Sequence, residues 1–208
     1  MRTIARVARP PGTPSLREAQ RQFTHERLID AAQQEFDERG YVAARIDDIA
    51  TRAGATRATF YLHFHGKSDV ILELLDRGRA DFHPLWDQLA ELPRRPSLQE
   101  VRAWVQTAAE VWERHAARSR VVVQAVNADP ELAATQDARE QTEIDLLTAA
   151  VRHMGWADDA HARLECTLLF AQLARSFHLW SFGGERDPRV LDIVAETWWA
   201  AFQRADRA

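Results

Sequence analysis

Apolar residues recur along this chain every third or fourth position, and sustained alternation is missing. That pattern predicts an all-α protein of about nine helices with no strand. A first helix over about residues 22–39 sets Phe23, Leu28, Ala31, Ala32 and Phe36 on one face and ends at Gly40. Ile46, Ile49, Ala50 and Ala53 form the apolar face of a short second helix that stops at Gly54. Thr56 is placed to cap a third, which buries Phe60 and Phe64 four residues apart. A fourth starts near Ser68-Asp69, carries Val70, Ile71, Leu74 and Leu75, and runs toward Leu89 with a kink or break expected at Pro84. After the break at Leu92–Ser97, Ser97 and Glu100 form a capping box for a helix over about 98–116. A short apolar segment, Val121–Val126, leads to Asp129-Pro130. Helices follow over about 131–154 (to Gly155), over 158–182 (to Gly183-Gly184), and from Pro188 to about Arg204. The domains expected are a mobile basic tail over 1–21, a helix-turn-helix unit over 22–70 and a larger helical domain over 71–208.

The stretch from Ala44 to Lys67 carries the chemistry. Small Ala50 lets a second helix cross closely, and Gly54 supplies the left-handed residue of a tight exit. With Phe60 and Phe64 buried, Arg57, Thr59, Tyr61 and His63 are expected to face outward. Such side chains on an exposed short helix suit phosphates and base edges in a major groove. Tyr61 either makes such a contact or packs on the preceding helix. His63 and His65 stand two residues apart, diverge on a helix, and have no Cys or carboxylate at ligand spacing, so no metal site is expected.

The arrangement resembles the tetracycline-repressor (TetR) family over roughly residues 24–75, through the upstream helix ending in Gly40-Tyr41 and the Thr-Phe-Tyr-x-His-Phe-x-x-Lys run at 59–67. The resemblance implies that Thr56, Arg57, Ala58, Thr59, Tyr61 and His63 lie on or at the start of a recognition helix. It implies that Lys67 grips a phosphate. Where the family has Thr or Ser capping the second helix, this chain has Ala44 and Arg45, and Arg45 becomes a candidate contact to the DNA backbone.

Charge supports that assignment once its distribution is considered. The 208 residues carry a net charge of −4, yet residues 1–70 hold 11 Lys/Arg against 9 Asp/Glu and residues 71–208 hold 16 against 22. The first 27 residues alone have six Arg and two Glu, so positive charge gathers at the end that reads DNA. The Pro- and Arg-rich start is either a plain disordered tail or an arm adding phosphate or minor-groove contacts. A composition 46% hydrophobic and 28% charged is that of a globular domain. The lone cysteine, Cys166, reads as a small core residue. No apolar leader and no bilayer-length segment is visible, so a cytoplasmic location is expected.

All seven Trp lie beyond residue 85. Trp86, Trp104, Trp112, Phe170, Phe177, Trp180 and Trp198 are candidates to line an apolar ligand cavity, or else belong to core and dimer interface. The helices over 158–182 and 188–204 are apolar almost all round, which suits a four-helix dimer interface across a twofold axis. The run Trp180–Glu185, with Val190-Leu191-Asp192 and Trp198, resembles the branch of the family that contains the ethionamide-resistance repressor, which implies a mainly apolar ligand. No nucleophile–base pair, phosphate loop or metal-spaced cluster supports an enzyme, and no cofactor is expected. The function expected is a homodimeric repressor that binds an inverted repeat in double-stranded DNA and is released by a small apolar effector. An activator, or a DNA-binding protein without a ligand, is the alternative.

Overall fold

The computed structural model describes residues 15–156, 158–181 and 187–205. These residues form α1 (Leu16–Arg39), α2 (Ile46–Arg52), α3 (Arg57–Tyr61), α4 (Lys67–Ala90), α5 (Leu98–Arg114), α6 (Ala116–Ala128), α7 (Pro130–Val151), a 3-10 turn (Arg152–Met154), α8 (Asp159–Ser181) and α9 (Arg189–Ala205). There is no strand among the described residues. The all-α expectation and the number of helices agree with this.

Three boundaries differ from expectation, each for a local reason. First, α1 begins six residues earlier than its apolar face suggests. Ser15 Oγ accepts from Glu18 N at 3.1 Å and Glu18 Oε2 accepts from Ser15 N at 2.5 Å, a complete capping box. Residues 16–21 therefore belong to the helix and not to a mobile tail; the rest of the expected tail, 1–14, lies outside the described residues. Second, α4 passes through Pro84 without a break. Proline there withholds one backbone donor, but buried Leu85, Trp86 and Leu89 hold the following turn in the core. Third, α5 stops at Arg114, and the short apolar segment expected at 121–126 is the middle of the 13-residue α6. The expected stop at Gly183-Gly184 lies outside the described residues.

Two apolar clusters hold the molecule together. The larger joins α4, α5, α7, α8 and α9 around Trp104, Trp198, Leu147, Phe177 and Phe202. The smaller contains Leu28, Phe36, Ile49, Phe60, Phe64 and Ile71 of α1–α4 and the α3–α4 turn, together with Val121, Val122 and Ala125 of α6 and Leu132 of α7. The core of the helix-turn-helix unit is therefore completed by residues from the larger domain. Cys166 is fully buried, and burial pushes its thiol up to about 11, as expected of a core residue.

A buried acid ties α1 to α2. Glu35 is 2% exposed. Its Oε1 accepts from Arg52 Nε at 2.9 Å, and its Oε2 lies 3.3 Å from Arg39 Nε. Arg52 also reaches Glu38 at 2.6 Å, and Arg39 reaches Asp48 at 2.7 Å. Removing the central carboxylate leaves two partly covered guanidinium groups without their shared partner. Glu35→Ala should lower stability toward the lower end of the roughly 3–5 kcal/mol for breaking a buried pair. Thermal melting tests this; an unchanged melting temperature would mean that the apolar contacts of α1 and α2 suffice.

Candidate nucleic-acid interface

The reading head is built on a tight turn. Gly54 adopts φ +62°, a backbone conformation that favours glycine; the atom a Cβ there would meet is the movable end of Arg27. Ala55 N donates to Ala50 O at 2.8 Å, closing the exit of α2. Thr56 caps α3: its Oγ1 accepts from Thr59 N at 3.1 Å, and the two threonine hydroxyls are 2.9 Å apart. Phe60 is fully buried and anchors α3.

The exposed side of α3 brings together most of the expected reading residues. Ala58 is exposed, and Tyr61 is 43% exposed. Arg57 donates to Asp47 Oδ2 at 2.9 Å and to Tyr61 Oη at 3.3 Å, with its guanidinium 5.5 Å from the Tyr61 ring centre. The Tyr61 hydroxyl and the Asp47 carboxylate favour the charged form of Arg57. A salt bridge this exposed contributes little, so a phosphate can displace Asp47 at little cost. Arg45 is exposed at the N-cap of α2 and makes no capping bond. Asp47 and Asp48 sit in the first turn, where their charge suits the helix dipole in place of a cap.

Two residues depart from their expected roles. His63, expected to face outward, turns toward α1 and is half-buried, with its ring 5.6 Å from that of His25. Burial, and then His25 and Arg21, push its pKa down. Lys67, expected on a phosphate, donates to the carbonyls of Tyr41, Val42 and Ala44 at 2.6, 3.2 and 2.9 Å. Its Nζ also lies 4.7 Å from the Tyr41 ring centre. An ammonium has three donors, and all three are committed here. Lys67 thus clamps the turn between α1 and α2, a role that needs three-dimensional proximity and leaves no trace in sequence spacing.

A cavity of about 470 Å³ lies between α4, α5, α6, α7 and α8, within the roughly 300–1,000 Å³ usual for small-molecule sites. Of the seven aromatics proposed for it, Trp86, Trp112, Phe170 and Phe177 line it. Trp104, Trp180 and Trp198 do not. Trp104 donates to Leu85 O at 2.8 Å and stacks on fully buried Trp198, and Trp180 packs on Phe177. Beside the aromatic and aliphatic residues, Arg79, His115, Arg118, Gln136 and Glu143 are also in the wall. Glu143 accepts from the Trp86 indole at 2.9 Å and pairs with Arg79 at 3.0 Å. One sequence signal was available for part of this set. His115, Arg118, Ser119 and Val122 are spaced i, i+3, i+4, i+7, so polar residues continue the buried face of α6. Among the described residues no group of three His, Cys, Asp or Glu is placed to hold a metal ion, and no helix is long and apolar enough to cross a membrane.

A helical head with a capped, exposed reading helix, set against a helical domain with a cavity, defines a helix-turn-helix DNA-binding class of protein. Residues 28–74 match the family of bacterial regulatory proteins called the tetR family. The chain is 38% identical over 86 residues to the HTH-type transcriptional regulator SrpR of Pseudomonas putida, a stretch covering 41% of this chain and only 37% of that relative. It is 26% identical over 170 residues to the HTH-type transcriptional repressor BepR of Brucella suis, covering 77% of this chain and 81% of that one. A TetR-family regulator structure from Mesorhizobium loti superposes with a TM-score of 0.68 at 19% identity, covering 88% of this chain and 96% of that one. Residues 28–74 thus carry the DNA-binding unit of the tetR family, and the chain shares its overall fold with a TetR-family regulator.

The Lys67 clamp makes a distinguishing prediction. Lys67→Met should destabilise the head by on the order of 1–2 kcal/mol, because partly buried acceptors lose their donor. The slope of log affinity for DNA against log salt should stay unchanged. A slope reduced by about one with an unaltered melting temperature would return Lys67 to a phosphate.

Proposed function

We propose that the protein is a transcriptional repressor that binds an inverted repeat in double-stranded DNA as a homodimer and releases it when a small molecule fills the cavity. The observation that carries this reading is α3: a capped helix that buries Phe60 and presents Arg57, Ala58 and Tyr61, with Arg45 exposed at the start of α2. That set combines phosphate-seeking cations with side chains small or planar enough for a groove. BepR, matched over most of its length, is named a repressor, which favours repression over activation here.

The dimer rests on α8 and α9. One side of α8 packs Cys166, Leu169, Leu173 and Phe177 into the protomer. Leu164, Leu168 and Leu179 of α8 remain 66%, 70% and 52% exposed, and Ile193 of α9 is 58% exposed. These residues are the interface candidates, whereas Trp198 is committed to the protomer core. A twofold axis through this patch would present two reading helices to half-sites roughly 34–36 Å apart.

The cavity and the head share two helices. Leu74, Leu75 and Gly78 of α4 line the cavity while Val70 and Ile71 pack in the head; Arg118, Ser119 and Val122 of α6 line it while Val121 and Ala125 pack in the head. Gln124 of α6 also accepts from Tyr41 N at 3.1 Å. A ligand that shifts α4 or α6 would therefore move the head.

Selection of bound fragments from a random double-stranded DNA pool should enrich an inverted repeat. Tyr61→Ala should weaken binding to the selected site by about tenfold or more without lowering the melting temperature. No enrichment at low salt, or full affinity in Tyr61→Ala, would remove α3 as the reading helix. Leu168→Asp should yield a monomer by light scattering that retains its helix content; a persisting dimer would place the interface elsewhere.

A further inference from the structure

Among the described residues, the cavity wall includes a guanidinium nitrogen that no acceptor meets. Arg118, in the first turn of α6, has its Nη1 buried without a hydrogen-bond partner. The other cations of the wall are accounted for differently. Arg79 pairs with Glu143 at 3.0 Å, Arg139 pairs with Asp76 at 2.7 Å, and Arg175 is exposed. His115 has its Nε2 at 2.9 Å from Asp81 Oδ2. That same Asp81 acts on Arg118 without forming an ion pair with it. Glu140 also lines the cavity, with its pKa pushed up by burial and then by Asp137, and makes no ion pair with Arg118. Gln136, across on α7, has its side-chain oxygen buried and unpartnered as well.

A buried guanidinium nitrogen without an acceptor is costly, and such groups in folded proteins call for an explanation. Space is left beside it. Gly78 lies inside α4, where glycine costs up to about 1 kcal/mol relative to alanine. A Cβ at Gly78 would stand 3.6 Å from Arg118 Nη1, an ordinary contact, so Arg118 does not require the glycine. Beyond this polar end the wall is aromatic: Trp86, Trp112, Phe170 and Phe177.

We propose that the effector is an amphipathic acid whose carboxylate pairs with Arg118 and whose apolar tail lies among the four aromatic side chains. The proposal rests on the reading of the cavity as the effector site and adds the ligand's charge to it. The positive end of the α6 dipole lies at the same place and favours an anion further. Arginine stays protonated at any ordinary pH, so the preference for acid over neutral ligand follows the ligand's own ionisation and vanishes below its carboxyl pKa.

The test uses the full-length protein and two probes of equal length, decanoate and neutral decanamide, titrated by calorimetry at neutral pH. Decanoate should bind about tenfold or more tightly than decanamide, the value of one charge-assisted hydrogen bond. Arg118→Gln should bind both probes about equally, and its melting temperature should hold or rise because a guanidinium nitrogen buried without an acceptor has gone. Equal binding of the two probes by the unaltered protein would overturn the acid preference and leave the effector cavity standing. Binding of neither probe would overturn both. A melting temperature that falls in Arg118→Gln together with loss of both probes would make Arg118 a structural residue and would also overturn the proposal.

Discussion

The structure depends on a core that no single domain closes by itself. Four helices of the reading head surround Phe36, Ile49 and Phe60, but Val121, Val122 and Ala125 of α6 and Leu132 of α7 complete the cluster. At roughly 25 cal/mol per Å² of apolar surface, detaching the head would expose several aliphatic side chains at once. The head therefore stays seated on α6 while the protein is folded. The bond from Tyr41 N to Gln124 and the buried backbone around Gly40-Tyr41 fix where it sits. A division of the chain at residue 70, natural from the sequence, cuts through this cluster.

Electrostatics in the head follow the same economy. Arg39, Arg52 and Arg57 all have acidic partners within the head, and Lys67 is enclosed by three carbonyls. Part of the positive charge read from the sequence is thus paired within the folded unit, and the cations are not equivalent. Arg52 shares a buried carboxylate and is structural. Arg57 holds an exposed one and can exchange it for phosphate. Arg45 stands exposed at a helix start. A count of basic residues cannot make this distinction, because it depends on which acid lies within 3 Å and how much water reaches the pair.

Much of the fold was legible because helical periodicity and capping act over three or four residues. Ser97 and Glu100, Thr56, and Pro130 behind Asp129 all mark helix starts where the structure has them. Ser15 and Glu18 carried the same signal and were outweighed by a Pro- and Arg-rich neighbourhood. Pro84 shows the opposite error: a local breaker overridden by tertiary burial of the turn beyond it. The reading helix was recoverable since Phe60 and Phe64 fix its orientation, apart from His63, which α1 draws inward through His25. The cavity was only half legible. An aromatic residue is equally apolar in a core and in a cavity wall, so Trp104 and Trp198 could not be separated from Trp86 and Trp112. The polar part of the wall depends on long-range neighbours such as Asp81 and Glu143, which periodicity does not report.

The shared core also constrains how a ligand can act. Both α4 and α6 run from the cavity wall into the head, and both are packed there against α1. A 24-residue α-helix is about 36 Å long and stiff along its axis. If a ligand moved α4 alone, the head core would open between Ile71 and Val121, which is costly; close-packed interiors shift between discrete arrangements and do not stretch. The cheaper response is for the head to rotate as one body with both helices. Such a rotation leaves the Lys67 clamp, the Glu35 ion pairs and the geometry of α3 intact, and changes only the separation and tilt of the two reading helices in a dimer. In the proposed dimer, with half-sites fixed by the DNA at about one helical turn, a rotation of the head would suffice to weaken binding to the pair while each head remains folded. The ligand's differential affinity for the two arrangements sets the limit of the effect.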